Sequence, residues 1–195
     1  MCGIVGATAQ RDVAPILLEG LKRLEYRGYD SAGLAVLGAE NSLRHHRVAG
    51  KVHELAESLK ELNYSGGVGI AHTRWATHGK PTVQNAHPHV CDDKVVIVHN
   101  GIIENHEALR TEQIINGYSF NSDTDSEVIA NQVHSHLKEK ECLIMAVSES
   151  IRVLQGAYAL AVISVAQPDR IVVARRGSPI AVSYTHLTLP TKWIV

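Results

Sequence analysis

The sequence predicts an α+β fold in a chain of 195 residues. Two pairs of short apolar segments, residues 31–38 with 42–49 and residues 157–165 with 170–175, are each separated by a polar turn, which is typical of antiparallel hairpins. Helical patterns occur in groups and do not alternate strictly with strands, which argues against a parallel sheet. Because 45% of the residues are hydrophobic, the chain can bury a substantial core.

In the N-terminal half, the patterns predict a buried strand from Cys2 to Ala9, followed by a helix that Asp12 caps and Gly28 ends. The apolar face of this helix consists of Val13, Ile16, Leu17, Leu21 and Leu24. After the first hairpin, a second helix is marked by apolar residues at helical spacing, namely Val52, Leu55, Leu59 and Leu62. Both helices are therefore predicted to be amphipathic.

In the rest of the chain, apolar runs predict strands at residues 67–73 and 94–99, separated by the long polar segment 74–92. A loop of that length inside a compact domain is usually functional or mobile. Three further helices are predicted, at residues 103–115, 126–138 and 142–154. The last hairpin is predicted to turn at the tripeptide QPD, residues 167–169.

Charge and cysteine content exclude several classes of protein. Lys and Arg number 19 against 20 Asp and Glu, so no basic surface suggests a nucleic acid or an anionic membrane as partner. Neither a secretory signal nor an apolar run long enough for a membrane helix is visible. Three scattered cysteines do not form a disulfide framework, which suits a reducing compartment. The sequence therefore predicts a soluble cytoplasmic protein that binds a small neutral or zwitterionic ligand.

Three interpretations stay open for Cys2: a small buried thiol, an acylated or metal-bound cysteine, or a nucleophile that removal of Met1 exposes. Methionine before a small residue is typically trimmed, which would leave a free α-amine beside the thiol. An α-amine titrates near ~7.7–8.0, far below a lysine near ~10.4, so it can act as a base at neutral pH. Nucleophile and base would then belong to one residue.

The polar segment 74–92 is rich in residues that bind ligands, namely Arg74, Trp75, Thr77, His78, His87 and His89. Arginine suits a carboxylate because its planar fork donates two parallel hydrogen bonds. Six of the twelve histidines fall between His72 and His106, so a His-rich metal-binding module is an alternative. Their spacing matches no zinc motif, and the segment can instead be a solvated polar loop whose tryptophan packs on the domain. We therefore expect no metal ion.

Two further stretches could carry chemistry or could be ordinary turns. Asn100 and Gly101 follow an apolar strand, where a side-chain amide and a backbone N–H can point together at a developing oxyanion. An Asn-Gly dipeptide is also a common turn. Asp123 and Asp125 precede a predicted helix, where a carboxylate can cap the helix or bind an ammonium group. Spacing alone does not choose between these interpretations.

Taken together, the ordered segments MCGIVG, LEYRGYDSAG, GIAHTRWATHG, NAHPH, VHNGIIEN and SDTDSEVI resemble the N-terminal nucleophile glutamine amidotransferases, also called type 2 glutaminase domains. The match runs from Cys2 to about Ile129, and LQGAYAL and RRGSPI extend it loosely to Ile180. Within that family, EYRGYDSAG and RWATHG are similar to the members that make amino sugars from fructose 6-phosphate. A glutaminase half from another amidotransferase is the alternative.

The resemblance implies a role for each matching residue. It makes Cys2 the nucleophile that attacks the side-chain amide of L-glutamine, and it makes Asn100 and the Gly101 N–H an oxyanion hole. Arg74 would bind the glutamine α-carboxylate and Asp125 its α-ammonium group. The remaining matches imply a closing loop at Thr77 and His78, a gate for ammonia at Trp75 and an organising role near the cysteine for Arg27.

The resemblance also implies a four-layer αββα sandwich of antiparallel sheets, no cofactor, and a parent enzyme that is a homo-oligomer. We expect the glutaminase domain to cover residues 2–182 and to be truncated at its C-terminal end, without the sugar-isomerase domains. Residues 183–195 do not match the family and are expected to be a non-native tail, although a divergent edge strand would also explain them.

Overall fold

The computed structural model describes residues 2–39, 42–62, 64–75 and 80–183, and it has the predicted α+β architecture. Its strands form two antiparallel sheets of four strands each. In the first sheet the order is β1-β4-β2-β3, and in the second it is β5-β6-β7-β8.

The first sheet and the helices on its outer face come from the N-terminal part of the chain. Its strands are β1 (Gly3–Thr8), β2 (Ser31–Leu37), β3 (Leu43–Val48) and β4 (Val68–Arg74). The helices are α1 (Ala14–Leu24), which a short 3-10 helix (Glu25–Arg27) extends, and α2 (Val52–Ser58). The predicted hairpin is confirmed as β2 and β3, which pair with Ala32 opposite Val48.

The second sheet and its helices come from the C-terminal part. Its strands are β5 (His89–Cys91), β6 (Val95–Ile103), β7 (Gly156–Ser164) and β8 (Gln167–Arg176). Its helices are α3 (His106–Ile115), α4 (Glu127–Lys140) and α5 (Leu143–Val153). All three helices lie where helical periodicity predicts them, within a few residues at each end.

Three separate apolar clusters show that these elements form four layers. One cluster lies between the first sheet and its helices and includes Leu17, Leu21 and Leu55. A second lies between the two sheets and includes Ile70 and Val98. The third cluster packs the second sheet against its helices and includes Ile97, Val133 and Leu143. The αββα sandwich is therefore confirmed, with one apolar cluster between each two adjacent layers.

Four local predictions are corrected. Strand β1 is only partly buried because it is an edge strand of its sheet. Helix α1 ends at Leu24 and continues as the 3-10 helix before Gly28. Leu62, predicted on an apolar helix face, follows the end of α2 and is exposed. The tripeptide at 167–169 belongs to β8, since an edge strand tolerates the proline that it contains.

In the part of the chain that the structure describes, no helix has the length and apolar content to cross a bilayer.

Candidate active site

Cys2 lies at the place where the two sheets approach each other. It precedes β1, and the pairing of Gly3 with Thr73 puts it beside the end of β4. The backbone N–H of Trp75 donates to Cys2 Sγ at 3.2 Å, and Sγ lies 3.6 Å from the Trp75 carbonyl oxygen. From the second sheet, Asn100 Nδ2 donates to the Cys2 carbonyl oxygen at 3.1 Å. The residue therefore has hydrogen-bond donors from both sheets.

The surroundings of the thiol keep it protonated near neutral pH. Burial raises the pKa of the Cys2 thiol, and the nearby Asp30 carboxylate raises it further. The Trp75 N–H and the Arg74 guanidinium act in the opposite direction, because a donor and a positive charge both stabilise a thiolate. Burial is the largest of these effects. A thiol in this state needs a base before it can attack a carbonyl carbon.

Gly28 allows the segment after the 3-10 helix to press against the end of β4. A Cβ atom at Gly28 would lie 2.7 Å from the carbonyl carbon of Arg74 and 3.0 Å from Trp75 N. The Asp30 N–H also donates to the Arg74 carbonyl oxygen at 3.2 Å. Together these contacts orient the peptide whose N–H reaches Cys2, which gives the glycine of the EYRGYD segment a physical reason.

Asn100 and Gly101 lie inside strand β6, opposite Ala159 and Tyr158 of β7, so the turn considered for this dipeptide is wrong. Gly101 has φ of 137°, and a Cβ atom there would lie 2.0 Å from the Ala157 carbonyl oxygen. Only glycine accommodates both the backbone angle and this approach. Gly101, directly after Asn100, therefore presents exposed backbone with no side chain to cover it. A side-chain amide beside such backbone can stabilise a negative oxygen.

Arg74, at the end of β4, is a buried cation with 5% of its surface exposed. Its Nη1 donates to the Lys80 carbonyl oxygen at 3.4 Å. The same oxygen accepts a hydrogen bond from Asn85 Nδ2 at 3.1 Å, and Asn85 Oδ1 accepts from the Asp123 N–H at 2.9 Å. Asn85 thus connects the segment beside Arg74 to the segment that carries Asp125.

Asp125 is fixed by hydrogen bonds to both carboxylate oxygens and is 9% exposed. Its Oδ2 accepts from the Ile103 N–H at 2.7 Å, and its Oδ1 accepts from the Ser126 hydroxyl at 3.3 Å. The Ser126 oxygen lies 2.8 Å from His99 Nδ1. Because Ser126 donates to Asp125, it accepts from the His99 N–H. A carboxylate has about four acceptor positions, so Asp125 can still bind a ligand ammonium group.

The buried Glu127 carboxylate organises the loop before α4. It accepts hydrogen bonds from the backbone N–H groups of Asn121 and Ser122 and from the Ser122 hydroxyl, the last at 2.6 Å. Arg110 donates to the Ser122 carbonyl oxygen from helix α3. The loop that presents Asp125 is therefore held from several directions.

Four buried imidazoles lie between these parts of the site. The rings of His72 and His87 are 4.2 Å apart between centroids, and those of His87 and His89 are 4.6 Å apart. Burial lowers the pKa of His72 to about 3 and that of His99 to about 4, so both are neutral at physiological pH. Among the described residues, no group of three or more His, Cys, Asp or Glu side chains is arranged to hold a metal ion.

The predicted residues are brought together to different degrees. Cys2 is in direct contact with Asn100 and with the Trp75 backbone, whereas the Trp75 side chain is half exposed and packs edge-on against Tyr29. Arg27 donates to the Tyr26 hydroxyl at 2.9 Å and lies over the Tyr26 ring. Its organising role and the gating role of Trp75 stay predictions. Thr77 and His78, predicted to close over the ligand, lie outside the described residues.

Sequence reasoning did not assign roles to His72, Asn85 and Glu127. Each is a polar or charged residue that is almost fully buried, with 1%, 1% and 4% of its surface exposed, respectively. His72 stands in an otherwise apolar strand pattern, and this was a usable signal, because a buried polar group requires a hydrogen-bond partner. Asn85 and Glu127 carry no such signal, since their partners are distant segments of backbone.

The two antiparallel sheets and their covering helices define the class of protein to which the chain belongs. A family model described as "Glutamine amidotransferase domain" matches residues 72–185. The chain belongs to this glutamine amidotransferase family, and it has the N-terminal nucleophile fold.

Similar proteins agree with this assignment. The chain is 58% identical over 182 residues to a glutamine–fructose-6-phosphate aminotransferase (isomerizing) of Pseudomonas aeruginosa, and 52% identical over 184 residues to one of Legionella pneumophila. These matches cover 93% and 94% of the chain but 30% of each relative. The chain thus spans less than a third of the length of these relatives.

Solved structures of related fold extend the comparison. The glutamine phosphoribosylpyrophosphate amidotransferase of B. subtilis has a TM-score of 0.74 at 24% identity. The match covers 90% of this chain and 37% of the amidotransferase chain. An allosteric regulatory enzyme of purine biosynthesis has a TM-score of 0.71 at 26% identity, over 89% of this chain and 36% of that one. Both share the sandwich described above.

Proposed function

We propose that the chain hydrolyses L-glutamine to glutamate and ammonia through a thioester on Cys2. The observation that carries this proposal is the contact between a cysteine at the start of β1 and the Asn100 amide from the opposite sheet. This contact is made to the carbonyl oxygen of Cys2, and it supports the proposal because the same residue would carry the nucleophile and Asn100 could donate to the oxyanion of a tetrahedral intermediate. The membership of the chain in the glutamine amidotransferase family supports the choice of substrate.

The base in this mechanism is the α-amine of Cys2 after removal of Met1. Because burial raises the pKa of the thiol, the thiol does not ionise sufficiently without a base. While Met1 is attached, the nitrogen of Cys2 is an amide whose lone pair is delocalised and cannot accept a proton near neutral pH. The free amine can accept the thiol proton and then return it to the departing ammonia.

The reaction then proceeds in two balanced steps. Sulfur attacks the side-chain amide carbon, the carbon–nitrogen bond breaks, and the thiol proton leaves with ammonia. Water attacks the resulting glutamyl thioester, which releases glutamate and restores the thiol. Asn100 and the Gly101 N–H stabilise the negative oxygen in both steps.

Arg74 and Asp125 recognise the amino-acid end of glutamine in this proposal. Arg74 is a buried guanidinium, which suits the α-carboxylate, and Asp125 is a fixed carboxylate, which suits the α-ammonium. Asn85 connects the segments that carry the two charges. Thr77 and His78 would close over the ligand, Trp75 would control the passage of ammonia, and Arg27 would organise the site near Cys2.

The longer parent protein is inferred from its relatives. The aminotransferases at 52–58% identity favour a parent that transfers the ammonia to fructose 6-phosphate through further domains. That this parent is a homo-oligomer, and that its glutaminase step uses no cofactor, is what the family resemblance of the sequence motifs implies. A nucleophilic thiol must stay reduced, which favours the cytoplasm. Residues 2–182 would be the glutaminase domain, and residues 183–195 a tail foreign to it.

The test incubates the purified chain with glutamine and measures glutamate and ammonia. Equal amounts of both products are expected, with no amino sugar when fructose 6-phosphate is added. Cys2→Ala should abolish product formation and Cys2→Ser should nearly do so, because a hydroxyl is a much weaker nucleophile at neutral pH. Cys91→Ser, which removes a buried thiol elsewhere, is the matched control. Full activity in Cys2→Ala would refute the proposal.

A further inference from the structure

The hydrogen-bond partners of His72 determine which nitrogen of its ring carries the proton. Its Nε2 lies 2.8 Å from Asn100 Oδ1 and 3.1 Å from the His99 carbonyl oxygen. A carbonyl oxygen only accepts hydrogen bonds, so Nε2 carries the proton and donates. The atom of Asn100 that faces His72 must then be the amide oxygen.

The other end of the Asn100 side chain leads to the same orientation independently. Its second amide atom faces the Cys2 carbonyl oxygen at 3.1 Å, which also only accepts, so this atom must be the nitrogen. An asparagine amide can otherwise rotate by half a turn and exchange its oxygen and nitrogen. In that rotated form an oxygen would face Cys2, and it would repel a developing oxyanion.

We propose that His72 is a positioning residue that fixes the donor orientation of Asn100 beside Cys2. This inference rests on the proposed glutaminase function, in which Asn100 stabilises the oxyanion. His72 does not touch the nucleophile itself in any described contact; it acts through Asn100.

The surroundings of His72 support a permanent role of this kind. The ring is 1% exposed, and its face packs against the His87 ring with centroids 4.2 Å apart. Burial lowers its pKa to about 3, so the neutral ring persists over the physiological range of pH. In a neutral imidazole only one nitrogen carries a proton, and the two carbonyl-type acceptors hold that proton on Nε2. The donor to Asn100 is therefore present whenever the protein is folded.

Two substitutions distinguish this role from simple packing. The amide nitrogen of glutamine can reach the position of Nε2, whereas that of the shorter asparagine reaches only the position of Nδ1. His72→Gln should therefore keep kcat close to that of the unsubstituted chain. His72→Asn should lower kcat, up to the ~10²- to 10³-fold that loss of one oxyanion donor causes, with little change in KM.

The dependence on Asn100 is tested in a second background. In Asn100→Ala, where no amide remains to be oriented, His72→Asn should cause no further loss of kcat. Equal activity of His72→Asn and the unsubstituted chain would overturn the inference. Equal losses in His72→Gln and His72→Asn, or a full additional loss in the Asn100→Ala background, would assign His72 to packing and would also overturn it.

A measurement without turnover separates this inference from the proposed function. In ¹⁵N NMR spectra, His72 should show a protonated Nε2 and an unprotonated Nδ1. The side-chain amide signals of Asn100 should shift in His72→Asn and stay in place in His72→Gln. If the chain hydrolyses no glutamine, the proposed function fails, and these spectra still decide whether His72 orients Asn100. A proton on Nδ1, or unchanged Asn100 signals in His72→Asn, refutes the positioning role.

Discussion

The two ends of the candidate site are built differently. At one end, Cys2 Sγ has a single backbone donor at 3.2 Å among its described contacts, and burial keeps the thiol protonated. At the other end, Asp125 has partners on both oxygens, and Glu127 fixes the loop around it. In the proposed mechanism the Cys2 thiol thus stays able to react, whereas the Asp125 carboxylate is fixed before a ligand arrives. Such a division suits catalysis, since interactions that strengthen in the transition state accelerate a reaction and a fixed carboxylate can orient the substrate for it.

The largest expected effect concerns the α-amine at the reactive end. A residue inserted between Met1 and Cys2, chosen so that the cysteine stays internal, keeps every side chain but converts the base into an amide. We expect glutaminase activity to fall by ~10²- to 10⁴-fold, the typical contribution of a general base. Mass spectrometry of the N-terminus and the rate of ammonia release provide the measurements. Near-normal rates from the blocked protein would eliminate the α-amine as the base.

The recognition end should respond through KM and leave kcat less affected. Losing a hydrogen bond to a charged group costs ~1.5–3 kcal/mol, so Arg74→Ala and Asp125→Ala should each raise KM by roughly 10- to 150-fold. Arg74→Lys should also raise KM, because an ammonium does not reproduce a bidentate contact. Asp123→Asn is the control, since this exposed carboxylate lies two residues from Asp125. Unchanged glutamine binding in the folded Asp125 and Arg74 variants would contradict both assignments.

Glu127 tests whether the recognition end depends on a fixed loop. Glu127→Ala removes the acceptor of several hydrogen bonds and leaves the Ser122 N–H buried without that partner. We expect the free energy of unfolding in urea to fall by ~1–3 kcal/mol. Glu139→Ala, an exposed residue on the same helix, should change it by less than ~0.5 kcal/mol. Similar losses in the two variants would show that the Glu127 contacts do not hold the loop.

The smallest effect concerns the imidazoles that lie between the two ends. Burial holds the pKa of His87 well below 6.5, and the neighbouring His72 acts in the same direction. Below pH 6.5 the unfolded chain therefore binds more protons than the folded chain, so stability falls as pH falls. Each such histidine contributes up to about 1.4 kcal/mol per pH unit. Urea unfolding between pH 7 and 5 should show a shallower pH dependence in His87→Phe; an unchanged dependence would contradict the buried neutral state.

Local patterns predicted the elements of the fold well because hairpins and amphipathic helices are defined by nearby residues. The hairpin of β2 and β3 and the three helices of the second half are examples. Nearby residues did not predict that strand β6 continues through Gly101. A glycine there looks like a turn, and only the approach of the Ala157 carbonyl from β7 shows why the strand continues.

The site was less accessible to sequence reasoning than the fold. The proposed chemistry of Cys2 next to an α-amine, and the capacity of Asn100 to act as a donor, can be inferred from the residue types. Their contact cannot be inferred from local patterns, because the two residues lie 98 positions apart, and only the family resemblance indicated that they share a site. The same holds for Asn85, whose partners Lys80 and Asp123 are brought together only by the tertiary structure.

The hydrogen bond from Asn100 to the Cys2 carbonyl also has a consequence for how the chain matures. Cys2 precedes a strand of the first sheet and Asn100 belongs to the second, so neither sheet alone has both the proposed nucleophile and the proposed oxyanion donor. In the proposed mechanism, reactivity towards amides therefore requires the two sheets to dock, a contact between residues 98 positions apart whose formation costs loop-closure entropy. In denaturant, the loss of turnover should accompany the separation of the sheets, and a nascent chain whose second sheet is still unmade has the Cys2 thiol without the Asn100 donor.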